Sequence, residues 1–162
     1  MARQIKPVSE SVTIMSRLMN PTEANIFGNV HGGNILKLAD EVAYVCGCKH
    51  SGKPCVTASV DRVDFYHPIN IGDLVTFYAS VNLVGRSSME VGVKVVAENI
   101  IKGTKIHANT LYFTMVALDE NGKPIEVPEL LLETVEQQRR NGEAQHRRKQ
   151  RLDQKFQKNI SK

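Results

Sequence analysis

A glycine-rich turn that runs directly into an apolar helical pattern is the part of the chain best suited to chemistry. Residues 28–33 read GNVHGG, and the helical pattern that follows carries a carboxylate at Asp40. Glycines at a helix start let a ligand approach backbone N–H groups that have no partner within the helix. The N–H groups of Gly32 and Gly33, together with the helix dipole, could stabilise an oxyanion while Asp40 activates water. This combination favours acyl transfer.

The side chains in this turn have structural as well as functional interpretations. Asp40 shares a helical stripe with apolar residues, and loss of solvation there would make it a better base, although it could also be a solvated carboxylate at the helix edge. Asn29 could polarise a carbonyl, but asparagine beside glycine is also ordinary turn chemistry. No nucleophile motif and no metal-ligand spacing accompanies His31, so we interpret it as pocket lining or a structural hydrogen bonder.

A second polar cluster lies between two predicted strands. Arg86, Ser87 and Ser88 offer one guanidinium and two hydroxyls, which could hold a phosphate or form a plain polar hairpin. On another predicted strand, Arg62 lies between Asp61 and a further aspartate. Arg62 could therefore be a member of an ion pair instead of a ligand contact.

Composition places the chain among globular proteins with a single domain. Its 162 residues, 41% of them hydrophobic, are enough for one buried core. No apolar run of membrane-spanning length and no signal-peptide pattern occurs. Cys46, Cys48 and Cys55 form no C-x-x-C pair and leave an odd thiol in any disulfide scheme, which favours a reduced, cytoplasmic setting. We expect these cysteines to be small buried hydrophobes and not nucleophiles.

The net charge of +4 is concentrated at the C-terminus. Residues 139–162 contain nine Lys and Arg against two acidic residues, so the first 138 residues carry a net charge of −3. A nucleic-acid-binding function would therefore depend on this tail alone. No aromatic ladder or recognised binding motif accompanies the charge.

Hydrophobic periodicity predicts a short strand, a long buried helix and then an antiparallel meander. The strand is expected near residues 12–15 and the helix over residues 34–49. The last strand is apolar on both faces, which suggests a subunit interface. Pro128 is expected to open a helix ahead of the basic tail. The meander comprises four β-rich segments separated by short breaks, at residues 55–66, 74–84, 88–101 and 104–118.

Four motifs in a fixed order make the chain similar to acyl-CoA thioesterases of the hotdog fold, in particular to the cytosolic acyl-CoA hydrolase branch. The resemblance covers about residues 8–140 and implies an α+β fold, an antiparallel sheet wrapped around one long central helix. We therefore expect a hotdog domain over residues 8–138 and a C-terminal helix or basic tail over residues 139–162. The motifs are MNP leading to GNVHGG at residues 19–33, LADEVA at 38–43, SVDRVDF at 59–65 and GRSSMEV at 85–91.

The resemblance also implies how the site is assembled. In this family the active site lies across a dimer, so Asn29 of one subunit would face Asp40 of the other. The N–H of Gly33, helped by that of Gly32, would polarise the thioester carbonyl. His31 would line the pocket. The substrate-binding region along the CoA channel would comprise Asp61, Arg62, Arg86, Ser87 and Ser88.

These inferences together predict an acyl-CoA hydrolase that releases CoA and a free acid without metal or cofactor. The resemblance implies a homo-oligomer, a dimer with shared sites that assembles as a trimer of dimers, a homohexamer. Neither a membrane nor a nucleic acid is expected as a partner. One rival is a hydratase or dehydratase of the same fold, for which His31 is the only candidate catalytic histidine. Another is a non-catalytic module that binds acyl-CoA, or that binds nucleic acid through the tail.

Overall fold

The fold is built around the long apolar helix that begins at the glycine turn. The computed structural model describes residues 3–160, without the side chains of residues 158–160. The last two residues of the expected basic tail, 161 and 162, lie outside the described residues. Two single-turn 3₁₀ helices, Val8–Glu10 and Pro21–Glu23, precede the helix. The elements are β1 (Ile5–Pro7), β2 (Thr13–Leu18), α1 (Gly32–Ser51), β3 (Cys55–Val60), β4 (Leu74–Val84), β5 (Ser88–Asn99), β6 (Thr104–Ala117), β7 (Glu129–Leu131) and α2 (Val135–Ile160).

Five strands form one antiparallel sheet in the order β2-β4-β5-β6-β3. Its three central strands are long and joined by tight turns, as the short glycine-containing breaks predict. At the first turn the N–H of Gly85 donates to the Ser88 carbonyl at 2.7 Å. At the second, Gly103 has a φ of 69°, which favours glycine. Strands β1 and β7 pair in parallel as a separate ribbon. The predicted α+β architecture with one sheet and one long central helix is confirmed.

The core lies between α1 and the inner face of the sheet. Alternate side chains of β4, β5 and β6 are buried there, as the period-two pattern predicts. Full burial of one large apolar side chain, such as valine, methionine or phenylalanine, stabilises the fold by about 1.5–3 kcal/mol. The largest side chains without exposed surface include Phe77, Phe113, Val91 and Met115.

Part of the outer face of the same sheet is polar and is covered by α2. Asn82 and Glu90 lie there, 4% and 3% exposed. The guanidinium of Arg147 donates to Glu90 Oε1 at 2.7 Å and stacks 3.6 Å from the ring centre of Tyr112. The side-chain amide of Asn141 donates to the Asn82 carbonyl at 2.7 Å. The basic segment is therefore a helix packed on the domain, and the expected boundary between residues 138 and 139 falls inside that helix.

Several local expectations differ from the structure. Pro128 does not open a helix: residues 129–131 form β7, and α2 begins at Val135. The first of the four β-rich segments, predicted over residues 55–66, forms β3 only up to Val60, and residues 61–66 lie outside the strand. The outer face of β6, predicted as a subunit interface, is partly covered by α2 of the same chain at Tyr112.

A buried histidine near the end of α1 predicts acid-dependent stability. His50 is 0% exposed, its Nε2 lies 3.2 Å from the Pro128 carbonyl, and among the described residues its Nδ1 has no hydrogen-bond partner. Burial lowers the pKa of His50 below its usual 6.5, although the Pro128 hydrogen bond opposes this; Lys6 and Arg3 lower it further and Glu10 raises it. The unfolded chain therefore binds a proton at higher pH than the folded chain does. We expect the free energy of unfolding to fall as the pH drops below 6.5.

Urea denaturation of the wild type and of His50→Gln, between about pH 7.5 and pH 5.5, measures this effect. The expected result is a shallower pH dependence in His50→Gln. The exposed His146, replaced by Gln, is the matched control and should leave the pH dependence unchanged. An equal slope in the wild type and His50→Gln would contradict the assignment.

Candidate active site

The N-terminus of α1 is held by the side chain of His31. His31 Nδ1 accepts a hydrogen bond from the Gly33 N–H at 3.0 Å, and the His31 carbonyl accepts from the Asn34 N–H at 2.9 Å. This satisfies one of the N–H groups that a helix start leaves without a partner. His31 is thus a structural hydrogen bonder, one of the two interpretations that its sequence context allowed.

The two glycine amides consequently differ in what they can bind. The sequence predicts Gly33 as the main donor to an oxyanion, but its N–H is engaged by His31. Within residues 3–160 no group accepts a hydrogen bond from the Gly32 N–H, which lies at the positive end of the helix. The ring of Phe65 lies beside Gly32, 3.2 Å from where a Cβ would stand. Gly32 is therefore the better placed donor, with an aromatic wall beside it.

The loop that leads into this turn is ordered by Asn25. Its Oδ1 accepts from the backbone N–H groups of Phe27 at 2.9 Å and Asn29 at 3.2 Å. Its own N–H donates to the Asn29 carbonyl at 2.7 Å, while Gly28 provides a φ of 83°. Because the Oδ1 of Asn25 is used by the loop, its Nδ2 is the group left to face a ligand.

Asn29 is directed to a neighbouring segment. Its Nδ2 donates to Asn70 Oδ1 at 3.1 Å, and the two residues form an isolated antiparallel bridge. Within the described part of a single chain, no hydrogen bond joins Asn29 and Asp40. The structure thus does not bring these two predicted catalytic residues together in one subunit.

Asp40 is half-buried on α1 and is held by a neighbouring strand. The Thr57 hydroxyl donates to Asp40 Oδ1 at 2.5 Å, from the edge strand β3. Among the described residues nothing donates to the second oxygen, Oδ2. A carboxylate fixed through one oxygen and free at the other can accept a proton from a water molecule. The sequence identifies Asp40 but not Thr57, which is distant along the chain and belongs to no motif.

The other predicted substrate-binding residues lie directly after β3 and at the turn between β4 and β5. Arg86 is exposed, with its nearest carboxylate, Glu126, at 4.0 Å. Asp61 accepts from Arg151 of α2 at 2.8 Å. Arg62 pairs with Asp64 at 3.0 Å, the ion-pair alternative that the sequence leaves open. Ser87 and Ser88 belong to the β4–β5 turn and the start of β5: the Ser87 carbonyl accepts from the Ala117 N–H and the Ser88 carbonyl from the Gly85 N–H.

Two of the three cysteines, Cys46 and Cys55, are not activated as nucleophiles. Burial raises the pKa of the Cys46 thiol to about 12 and that of the Cys55 thiol to about 11. A thiol with such a pKa is almost fully protonated near neutral pH. The described residues contain no group of three His, Cys, Asp or Glu side chains placed to hold a metal ion. No helix among them is long and apolar enough to cross a bilayer.

The fold and the site define a class of protein. The model of the thioesterase superfamily matches residues 27–104, which include the glycine turn, Asp40 and Thr57. The chain belongs to this superfamily and has its hotdog fold.

Two curated proteins are similar to this chain in sequence. The chain is 51% identical over 115 residues to protein VdlD of Helicobacter pylori, a match over 71% of this chain and 66% of that protein. The matched region is thus slightly less than two thirds of the length of VdlD. The chain is also 39% identical over 128 residues to the uncharacterized acyl-CoA thioester hydrolase YkhA of Bacillus subtilis, covering 79% of this chain and 74% of that protein.

Solved structures are similar over nearly the whole chain, including α2. A hexameric acyl-CoA thioesterase superposes with a TM-score of 0.90 at 38% identity, over 93% of this chain and 97% of that one. An acyl-CoA hydrolase of Staphylococcus aureus in complex with CoA gives 0.92 at 32% identity, over 99% and 96%. Structures of the same enzyme include variants in which one asparagine, one aspartate or one threonine is replaced by alanine.

The hydrogen bond from His31 to Gly33 yields a stability prediction. Replacing an N-cap by alanine typically costs about 1 kcal/mol, whereas asparagine caps as well as any residue. We expect His31→Ala to lower the free energy of unfolding by about that amount and His31→Asn to restore most of it. Denaturant titration of the three proteins measures the difference. Equal stability of His31→Ala and His31→Asn would show that the cap does not stabilise α1.

Proposed function

We propose that this chain hydrolyses acyl-CoA thioesters to CoA and a carboxylic acid. One observation carries the proposal: Asp40 is held through a single oxygen by Thr57, two helical turns after the free Gly32 amide. Thioester hydrolysis requires a general base and an oxyanion donor. About 12 Å of helix separates Gly32 from Asp40 in one chain, so a shared site would join the Gly32 of one subunit with the Asp40 of another. The relatives and solved structures named above as acyl-CoA hydrolases support the same reaction.

In the proposed mechanism the thioester carbonyl oxygen lies at the N-terminus of α1. The Gly32 N–H and the helix dipole stabilise the negative charge that develops on this oxygen. The free oxygen of Asp40 takes a proton from water as the water oxygen attacks the carbonyl carbon. Collapse of the tetrahedral intermediate breaks the carbon–sulfur bond, and the CoA sulfur leaves with that proton. No metal or cofactor takes part.

A carboxamide would orient the water or the substrate, and two asparagines compete for this role. Asn29 is the choice from sequence, although its Nδ2 is engaged with Asn70. In the Staphylococcus aureus variants, the replaced asparagine and threonine lie fifteen positions before and seventeen after the aspartate. Counting from Asp40, the same separations lead to Asn25 and Thr57, and the hydrogen bond joins Asp40 to Thr57 across those 17 positions. This spacing favours Asn25 over Asn29.

The proposed assembly is a homo-oligomer with sites shared between subunits. The separation of both asparagines from the Asp40–Thr57 pair within one chain supports a site completed by a second subunit, and the hexameric structural relative supports a trimer of dimers. The proposed CoA-binding residues are Asp61, Arg62, Arg86, Ser87 and Ser88. Thiols without a disulfide are consistent with a cytoplasmic location.

The rival functions receive less support. A hydratase would require His31 as an acid or base, yet His31 Nδ1 is used as the helix cap. Nucleic-acid binding through α2 would depend on its cations, and three of them, Arg139, Arg147 and Arg151, already pair with a carboxylate.

The role of Asp40 is tested by Asp40→Asn, which preserves the shape of the side chain but not its basicity. We expect kcat to fall by about two orders of magnitude or more, with little change in substrate binding. Thr57→Val is the companion variant, which keeps Asp40 but removes the bond that orients it, and should lower kcat by a smaller factor. Thiol release followed at saturating acyl-CoA measures both. Wild-type turnover by Asp40→Asn would exclude Asp40 as the base.

The shared site is tested by mixing two inactive variants. If Asn25 of one subunit acts with Asp40 of another, mixed dimers of Asn25→Ala and Asp40→Asn regain one intact site and therefore part of the activity. Asn29→Ala mixed with Asp40→Asn is the matched comparison, and Asn29→Ala alone should retain more activity than Asn25→Ala. Subunit exchange is verified by mass spectrometry. Exchange without recovered activity in either mixture would place all these residues in one subunit.

A further inference from the structure

A buried asparagine on the apolar inner face of the sheet carries a polar atom without a partner. Asn109 of β6 is 2% exposed and lies opposite Val95 of β5. Its Nδ2 donates a hydrogen bond to the backbone carbonyl of Asp64, whereas its Oδ1 is buried and has no hydrogen-bond partner among the described residues. An unpaired buried polar atom lowers the stability of a fold. Folding stability alone therefore gives no reason for an asparagine at this position.

The hydrogen bond of Asn109 anchors the middle of the segment that follows β3. Residues 62–68 form no helix or strand. On one side of this segment the Asp61 N–H donates to β6 at 3.0 Å, and on the other the Ile69 carbonyl accepts from the loop before α1 at 2.8 Å. Among the described residues, no second hydrogen bond joins residues 62–68 to the sheet or to α1. The path of the chain between those two ends thus depends on Asn109.

Phe65 directly follows the anchored carbonyl and reaches the start of α1. Its side chain is 50% exposed, yet three atoms at the tip of its ring lie 3.2, 3.3 and 3.5 Å from where a Cβ on Gly32 would stand. The ring therefore lies against the glycine whose N–H is the proposed oxyanion donor. A hydrogen-bond donor stabilises a developing charge more strongly where water is excluded. The position of the Phe65 ring consequently affects how well Gly32 can act.

We propose that Asn109 is a positioning residue for thioester hydrolysis: through the Asp64 carbonyl it holds the Phe65 ring against Gly32 and so keeps water away from the oxyanion donor. The inference rests on the proposed function, which makes Gly32 that donor. Asn109 itself contacts neither the substrate nor the reacting atoms. Its unpaired Oδ1 follows from the use of a carboxamide, because an amide that directs its N–H at the segment leaves its oxygen in the apolar core.

Turnover and stability should respond differently in Asn109→Leu, a variant of similar shape without polar side-chain atoms. The urea midpoint should stay the same or rise, because the unpaired oxygen is gone and water can reach the carbonyl of the half-exposed Asp64. The kcat should nevertheless fall about tenfold with little change in KM, since an oxyanion donor acts in the transition state. Thr110→Val, one position along β6 on the outer face, is the matched control and should change neither quantity.

A double-mutant cycle tests whether Asn109 acts through Phe65. Phe65→Ala removes the ring and should lower kcat at least as far as Asn109→Leu does. If the two residues act as one unit, adding Asn109→Leu to Phe65→Ala should lower kcat by no more than about a further twofold, whereas independent effects would multiply.

Limited proteolysis with chymotrypsin reports on the segment independently of activity. Cleavage after Phe65 or Tyr66, identified by mass spectrometry, should be about fivefold faster in Asn109→Leu than in the wild type, because loss of one hydrogen bond makes local opening easier. Thr110→Val should be cleaved at the wild-type rate.

The proposal is overturned if Asn109→Leu keeps the wild-type kcat, or if its effect on kcat multiplies with that of Phe65→Ala. A urea midpoint that falls together with kcat would show a purely structural role. A higher KM for acyl-CoA at unchanged kcat would mean that the segment acts through Arg62 instead, and would also overturn it. A wild type that releases no thiol would refute the proposed function. The cleavage rates would still decide whether Asn109 holds the segment, and equal rates in the wild type and Asn109→Leu would exclude it.

Discussion

The packing of α1 along the inner face of the sheet is the constraint on which the rest of the structure depends. Ala39, Ala43 and Cys46 have no exposed surface, and a Cβ at Gly47 would touch Met115 at 3.6 Å. Small residues along this stripe let the helix lie close to the strands. Successive residues of an α-helix are 100° apart around its axis. Rotating α1 by that angle would turn Asp40 away from Thr57. The rotation that buries the apolar stripe therefore also sets the geometry of the carboxylate.

The opposite face of the sheet imposes a second requirement. Asn82 and Glu90 are polar, lie on central strands, and cannot be left buried without partners. The Asn82 side-chain amide donates to Glu90, which also accepts from Arg147 and Arg151 of α2. Asn141 of α2 donates to the backbone carbonyl of Asn82, and Tyr112 packs against the Arg147 guanidinium. The basic helix is thus part of the domain in energetic terms. Its basic side chains therefore contribute to the fold and do not form an independent tail.

The sequence was most informative where one element carries its own signal. The helical stripe, the two hairpins and the alternation of β5 predict the central architecture, because each depends on near neighbours in the chain. The hydrogen-bond partners of the reactive groups are harder to predict from the sequence. Thr57 meets Asp40 only because β3 packs beside α1, and His31 takes the Gly33 amide through a side-chain rotamer. Pro128 predicts a helix where β7 forms, because an extended strand and a helix start both accept proline.

The two proposed anion-binding regions use different physics, in keeping with the charges they would meet. An oxyanion exists only in the transition state, so neutral amides and a helix dipole can stabilise it without holding a permanently charged ligand in its place. Phosphates are charged throughout, and side-chain cations at an open groove can attract them over a distance set by ionic strength. Gly32 lies at the start of α1, whereas Arg86 lies in the turn between β4 and β5. This separation keeps the guanidinium charge away from Asp40, where a nearby cation would weaken the base.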